Sequence, residues 1–348
     1  MDMQPLIYDL SLEDLQDRVK ALGQPGFRAK QVWVAVYQSL KTSVFEITTL
    51  PKEFRRLLAD HYDFKALEEV ATVESGDGHT QKSLFRLRDG NLIETVLMGY
   101  ENRQSVCISS QSGCGLGCAF CATGQMGFHR NLTSGEIIAQ VLHFERLLAQ
   151  DDKKLTNVVL MGMGEPFLNY DNVLEALYRL NHPDGFGLGA RRFTISTVGI
   201  VPKIKQFADA GTQYNLAISL HTVNDELRSE LIPSNKKFPI DSLLRACQYY
   251  IQKTNRRVTF EVALIEGVND SISDAEALSE KLSGMLCHVN LIALNPTPGF
   301  GERPATSNQA EAFCNLLNRN HIPCTIRLRR GNEIQAGCGQ LAAKAKDI

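Results

Sequence analysis

Apolar residues three and four positions apart run through the first sixty residues, the spacing of one buried helical face. Ser11 followed by Asp14 predicts an N-cap and an acidic first turn ahead of Leu15, Val19 and Leu22; Gly23 and Pro25 close that helix. A second helix is predicted over residues 28–38, and a third after Pro51, with Phe54, Leu57 and Leu58 on one face. The period then changes. Between 67 and 100 the turn pairs Asp77-Gly78 and Asp89-Gly90 separate apolar runs at 83–87 and 92–98, which predicts a small β-meander. From Ser105 the pattern is strand, loop, helix, repeated, with strands at 105–110, 157–161, 192–197, 215–220, 258–265 and 288–294 and helical stretches such as 134–149 and 170–180 between them. Six such units predict an α/β fold of parallel strands with right-handed crossovers, and the count favours a partial (β/α)6 TIM-type barrel over a closed one of eight strands. The predicted division is an accessory domain of helices and small β-structure over 1–100 and a barrel core over 101–348. Chemistry then belongs at the C-terminal ends of the strands.

Composition changes this picture in three ways. No run of eighteen apolar residues occurs, so no membrane span is expected, and the polar, acidic start Met1-Asp2-Met3-Gln4-Pro5 lacks the pattern of a secretory signal; the cytoplasm is the expected location. Nine cysteines in 348 residues is an odd count in a long chain, which argues against an extracellular disulfide framework. The formal net charge of −2 leaves nucleic-acid contact to local patches. The candidates are Arg55-Arg56, Arg191-Arg192, Arg256-Arg257, and Arg327, Arg329 and Arg330, each of which also reads as an ordinary solvated group.

The sharpest chemical signal is Cys114-Gly115-Leu116-Gly117-Cys118-Ala119-Phe120-Cys121, after a strand and before a helix. Three thiolates so spaced ligate three irons of a cubane [4Fe–4S] cluster and leave the fourth iron open to the amino and carboxylate groups of a methionine-type ligand. Phe120 is placed to shield such a cluster from water. The alternative is a three-cysteine zinc site completed from afar, but structural zinc usually uses two Cys-x-x-Cys knuckles and this chain has one, Cys118–Cys121. Met161-Gly162-Met163-Gly164-Glu165-Pro166 closes the second barrel strand, where Glu165 can accept from an ammonium group or simply belong to a turn that Pro166 opens into a helix.

The cysteine spacing resembles the signature of the radical S-adenosylmethionine (SAM) superfamily. With Cys107-Ile108-Ser109-Ser110-Gln111 before it and Ala122-Thr123-Gly124, Gly127-Phe128 and Arg130-Asn131-Leu132-Thr133 after it, the segment resembles the RlmN/Cfr family of radical SAM RNA-adenine methyltransferases, over about residues 27–341. The resemblance implies a partial barrel with an RNA-binding accessory domain, a [4Fe–4S] cluster on Cys114, Cys118 and Cys121, and SAM contacts at Gly164, Glu165, Ser196, Ser219, Leu220, His221 and Asn295. Asn224, Asp225 and Arg228 also fit the pattern, without a role.

The resemblance further implies that Cys338, in Ala336-Gly337-Cys338-Gly339, carries the methyl group as S-methylcysteine, that Cys107 is the resolving cysteine, and that Glu94 is a proton acceptor. An electron-poor adenine C2 cannot attack the SAM methyl as a nucleophile, so a radical route is needed. One SAM methylates Cys338. A second, cleaved reductively, gives a 5′-deoxyadenosyl radical that takes a hydrogen atom from that methyl. The carbon radical adds to the base, and Cys107 releases the product by forming a transient disulfide with Cys338. Either Glu94 or Cys107 takes the proton. Glu94 lies in an apolar run, where it either faces solvent by alternation or is a buried base. The flanking glycines predict a mobile loop at Cys338. Gln335 and Gly337 stand where the family more often has an acidic residue and alanine. Cysteines 247, 287, 314 and 324 are expected to pack as small hydrophobes.

The implied substrates are adenine 2503 of 23S rRNA and adenine 37 of tRNAs, and the implied partner is an electron donor such as flavodoxin or ferredoxin, with the chain a monomer. Phe27-Arg28-Ala29-Lys30-Gln31-Val32-Trp33 combines basic and aromatic residues suited to RNA, although Trp33 also reads as core of a helical bundle. Arg329-Arg330-Gly331 resembles the C2-methylating branch. The alternatives are C8 methylation of 23S rRNA, which confers antibiotic resistance, and a non-catalytic iron–sulfur RNA-binding protein.

Overall fold

A computed structural model describes residues 4–327 and 330–343. Arg329 and the chain start Met1-Asp2-Met3 lie outside the described residues. The N-terminal helices form where their apolar faces and caps predict. Helix α1 (Leu12–Ala21) opens on a capping box in which Ser11 and Asp14 satisfy each other's backbone N–H, and it buries Leu15 and Val19. Helix α2 (Phe27–Tyr37) buries Val32, Trp33 and Val36, and α3 (Lys52–His61) follows Pro51 and buries Phe54 and Leu58. Trp33 is therefore core, while Phe27, at 60% exposure, faces solvent.

The meander comprises β1 (Leu67–Glu74), β2 (Thr80–Leu87) and β3 (Leu92–Tyr100), and β3 pairs antiparallel with β4 (Arg103–Cys107). Strand β4 is also the first parallel strand of the barrel, so one ten-stranded sheet runs through residue 100 without a break. The predicted strand at 105–110 is cut short at Cys107. Beyond it the backbone leaves the ladder to bond the turn after the next strand (Ser110 N–H to Met163 O, 2.8 Å; Gly162 N–H to Ile108 O, 3.1 Å). It then forms a separate hairpin, β5 (Gln111–Cys114) with β6 (Gly127–Asn131).

After α4 (Ala122–Gln125) and α5 (Ser134–Ala149), the barrel continues through β7 (Asn157–Leu160), α6 (Tyr170–Asn181), β8 (Phe193–Thr197), α7 (Val201–Asp209), β9 (Asn215–Ser219), α8 (Asp225–Leu231), α9 (Ile240–Thr254), β10 (Val258–Leu264), α10 (Ile272–Leu282), β11 (Cys287–Ala293), α11 (Ser307–Arg319) and β12 (Cys324–Ile326). The sheet order is β1-β2-β3-β4-β7-β8-β9-β10-β11-β12, with β1 and β12 at its two edges: an open, partial barrel. Strand β12 is a seventh parallel strand beyond the six predicted; at three residues it is too short to show a period. Alternation along the strands sends Phe193, Ile195, Phe260 and Val262 to the buried side, and Thr194, Ser196, Thr259 and Glu261 to the lumen. None of the described helices is long and apolar enough to cross a membrane.

Candidate active site

One cavity at the C-terminal ends of the barrel strands is lined by Cys114, Cys118 and Cys121 together with Gly164, Glu165, Ser196, Ser219, His221, Asn295 and Cys338. The sequence places these residues on six different strand ends and loops; the fold brings them to one space. The cysteine loop hangs from the β5–β6 hairpin, which Arg130 ties down by a two-pronged bond to Glu136 (2.7 and 2.8 Å) and a further one to Asp89. Burial pushes the Cys114 thiol up to about 11 and raises Cys118 and Cys121 as well, with neighbouring thiols adding to the effect on Cys118. Phe120 meets His221 edge-on at 4.7 Å and Phe300 at 6.4 Å. Cys118, Leu231, Ile232, Ile265 and Leu294 pack as a small apolar cluster beneath the loop.

The turn after β7 is fixed by close packing. Gly164 has φ +99°, and a Cβ there would lie 2.5 Å from Gln111 Cβ, so glycine is required by the strand of the cysteine hairpin. Glu165 is buried and accepts from Phe167 N–H (2.9 Å) and Val198 N–H (2.9 Å). Burial, only partly offset by these bonds, pushes its carboxyl up to about 7. His221 accepts from Ala263 N–H through Nδ1 (3.0 Å), and burial together with Arg228 holds it down at about 3, so the ring is neutral. Leu220 is buried and does not line the cavity; its carbonyl accepts from Arg228 Nε at 3.0 Å. Arg228, 1% exposed, also holds the carbonyls of Val198 (2.7 Å) and Ser219 (2.9 Å), so it fixes the ends of β8 and β9.

The Cys338 loop differs from the mobile segment predicted for it. Asn295 Nδ2 donates to Cys338 O (3.0 Å), Ala122 N–H to Gly339 O (2.7 Å), Thr123 Oγ1 to Leu341 O (2.6 Å) and Gln340 Nε2 to Pro296 O (3.1 Å). The glycine beside the thiol serves close packing: a Cβ on Gly337 would lie 2.5 Å from Asn295 Nδ2. Arg327 Nη1 stands 3.7 Å from Cys338 Sγ. Cys107, at the end of β4, is buried; burial, with Cys338 nearby, pushes its thiol up to about 12 against the opposing pull of Arg327.

Glu94 lies outside this cavity. Its buried carboxylate pairs with Lys82 Nζ at 3.0 Å and accepts from Ala342 N–H (2.8 Å) and Ala343 N–H (3.1 Å). It thereby anchors the segment that follows Cys338.

A radical SAM superfamily model matches residues 108–278. Over 342 residues the chain is 45% identical to the "Probable dual-specificity RNA methyltransferase RlmN" of Geobacillus kaustophilus, covering 98% of this chain and 93% of that protein. Against the protein of the same name from Chloroflexus aurantiacus it is 46% identical over 353 residues, again covering 98% and 93%. The crystal structure of a radical SAM methyltransferase from Sphaerobacter thermophilus superposes with a TM-score of 0.96 at 47% identity, covering 98% of this chain and all of that one. This chain belongs to the RlmN family of radical SAM enzymes.

The cofactors of this RlmN-family chain are a [4Fe–4S] cluster and SAM, and the donor sets fit both. Among the described residues no three His, Cys, Asp or Glu side chains converge on a single-ion site. The three thiols line one cavity, a donor set of three thiolates that suits three irons of a cubane and leaves the fourth open. On the SAM side, Asn295 Oδ1 is a buried acceptor without a partner among the described residues, left for a ligand donor. Sequence reasoning missed Glu261 in the cavity wall and Lys82 beside Glu94, and met Met161 only as part of the turn motif and Arg327 only as a basic residue. Alternation along β10 and β2 puts Glu261 and Lys82 on inward faces, but nothing local in the sequence says that those faces meet the site.

Proposed function

We propose that this chain methylates C2 of adenine in RNA, at adenine 2503 of 23S rRNA and adenine 37 of tRNAs, with Cys338 as the methyl carrier. The observation that carries the reading is that Cys338 lines the same cavity as the three-cysteine loop while lying within electrostatic reach of Cys107. The curated relatives carry names that specify RNA methylation with dual specificity, which favours two RNA substrates.

Cys114, Cys118 and Cys121 would hold the cluster; Gly164, Glu165, Ser196, Ser219, His221 and Asn295 would hold SAM. When bound, these groups supply a methyl group and, with an electron from a donor such as flavodoxin or ferredoxin, a carbon radical. The chain's own residues do the rest. Arg327 donates toward the Cys338 sulfur and so orients it in the cavity. Cys107, kept protonated by burial, holds its nucleophilicity back until the carbon on Cys338 is joined to the base; it then loses its proton and attacks the Cys338 sulfur, so that a disulfide forms as the S–C bond breaks and the released carbon takes a proton. Glu94, with one oxygen on Lys82 and the other on two backbone N–H groups, acts through the position of the Cys338 segment.

Mass spectrometry of 23S rRNA and tRNA from cells with and without this protein tests the reading. The expected result is a methyl at adenine C2 that disappears with the gene and with Cys338→Ala. A C8 mark would replace the regiochemistry, and RNA unchanged in both pools would overturn the reaction.

A further inference from the structure

Three of the arginines that the sequence scatters along the chain, Arg191, Arg257 and Arg327, meet together with Arg103 at a second cavity. It lies at the opposite end of the barrel lumen from the cysteine loop and has a volume of about 650 Å³. Its wall takes Asn157, Asn215, Thr259 and His288 from the first two residues of their strands, so it opens at the N-terminal mouth of the barrel. Arg103, Arg191 and Arg257 stand exposed around this mouth. No ion pair joins any of the three to a carboxylate among the described residues, and Arg103 stacks on the Tyr100 ring at 4.0 Å.

Three unneutralised guanidinium groups ringing a cavity of amides and hydroxyls, in a chain of net charge −2, are an anion-attracting feature the surface as a whole lacks. The cavity does not end blindly. Met161, Glu261 and Arg327 line both it and the cavity of the cysteine loop, and Arg327 Nη1 is 3.7 Å from Cys338 Sγ. At that junction Glu261 is buried, and its Oε2 has no hydrogen-bond partner among the described residues. An orphaned buried acceptor is costly unless a ligand donor satisfies it.

We infer that the RNA strand reaches Cys338 through the N-terminal mouth of the barrel, with phosphates beside the target nucleotide on Arg103, Arg191 and Arg257 and the extruded base directed to the junction at Glu261 and Arg327. This rests on the RNA methylation proposed above and adds the route. SAM and cluster residues occupy the C-terminal end, so a base approaching along the lumen from below meets the methyl-bearing sulfur without displacing them. Polar walls match ribose hydroxyls and base edges, and the rim matches the phosphates of an unpaired strand. An extruded exocyclic amine is a donor of the kind that Glu261 Oε2 lacks.

The test measures binding of an unmodified 23S rRNA transcript to the cluster-loaded protein across a salt series, for wild type, Arg191→Glu, Arg257→Glu, the double variant, and Arg245→Glu, an equal charge change on the outer face of α9. Arg191→Gln and Arg257→Gln remove charge without reversing it, in case reversal perturbs folding, and the melting temperature of each variant checks its fold. Each mouth variant is expected to bind about tenfold or more weakly. The slope of log affinity against log salt should be shallower by about 0.7 for each single-strand phosphate that the variant no longer neutralises. Arg245→Glu should match wild type. If folded mouth variants bind within twofold of Arg245→Glu with the same slope, the route is wrong even where wild type methylates the transcript. If wild type binds and reacts with neither rRNA nor tRNA, the failure belongs to the proposed reaction.

Discussion

Two loops bring sulfur to one cavity, and they are built in opposite ways. The loop carrying Cys114, Cys118 and Cys121 is local: a hairpin of its own, β5 with β6, closes on residues 111–131, and its clasp Arg130–Glu136 spans six positions. The loop carrying Cys338 is held by partners far away in the chain: Asn295 at 43 positions, Thr123 at 218, and Glu94 at 248 and 249. A local motif keeps its geometry while distant parts move. A loop held from afar is positioned only when accessory meander, cluster helix and barrel have all assembled. The three-cysteine site should therefore survive damage that undocks the Cys338 loop, and not the reverse.

The largest effects separate the two loops outright. Cys118→Ala leaves two thiols where the proposed cluster site has three, so the iron–sulfur absorbance and all methyl transfer should vanish together. Cys338→Ala should abolish methyl transfer yet leave the absorbance of the reconstituted protein at the wild-type level; loss of both would show that the carrier loop supports the cluster after all. Next comes the anchor. Lys82 and Glu94 are both buried, and breaking a buried pair by removing one partner typically costs about 3–5 kcal/mol. Glu94→Ala should lower the melting temperature, speed alkylation of Cys338 by a small maleimide at least tenfold, and spare the cluster absorbance. If Glu94 were instead a chemical base, activity would fall with no change in alkylation.

Glu165 gives a smaller effect with a sign. Its carboxyl is pushed from an ordinary 4.5 up to about 7, so the folded chain holds that proton more tightly than the unfolded one. The stability this contributes is complete below about pH 4.5 and is lost as pH rises through about 7, at no more than about 1.4 kcal/mol per pH unit. Denaturant melts from pH 4.5 to 7.5 should show that decline in wild type and a flatter profile in Glu165→Gln. The glutamine cannot accept from both Phe167 and Val198 N–H as the carboxylate does, so its baseline should sit about 1–3 kcal/mol lower.

The same contrast explains what could be read from the sequence. Helix starts at Ser11 and Pro51, the meander turns and six parallel strands are legible because each depends on neighbours within a few residues. The three-cysteine loop is legible for the same reason. Cys338 is found only through family resemblance, because glycines around a cysteine look like a free tail when the partners that hold them lie from 43 to more than two hundred positions away. Lys82 and Glu261 leave no local trace: an inward charge in an alternating strand reads as outward until the sheet's two faces are known. The basic pairs Arg191-Arg192 and Arg256-Arg257 are visible as residues, but that one arginine of each faces the same cavity follows only from β8 and β10 flanking β9.

The finest test asks whether the tethers of the Cys338 loop act singly or together. Thr123 stands two residues after Cys121, and its hydroxyl holds Leu341 O at 2.6 Å, the shortest direct tie between the two loops. Thr123→Val keeps the shape and removes only the donor, leaving one carbonyl unpaired at a cost of about 1 kcal/mol. Alone it should lower activity less than twofold and leave the cluster absorbance intact. Combined with Glu94→Gln, which keeps an acceptor for the Ala342 and Ala343 N–H groups but removes the charge facing Lys82, the losses should exceed their sum, because both variants release the same short segment. Simple additivity in the rate of Cys338 alkylation would mean that the two tethers hold independent pieces of chain, and that the loop is not one docked unit.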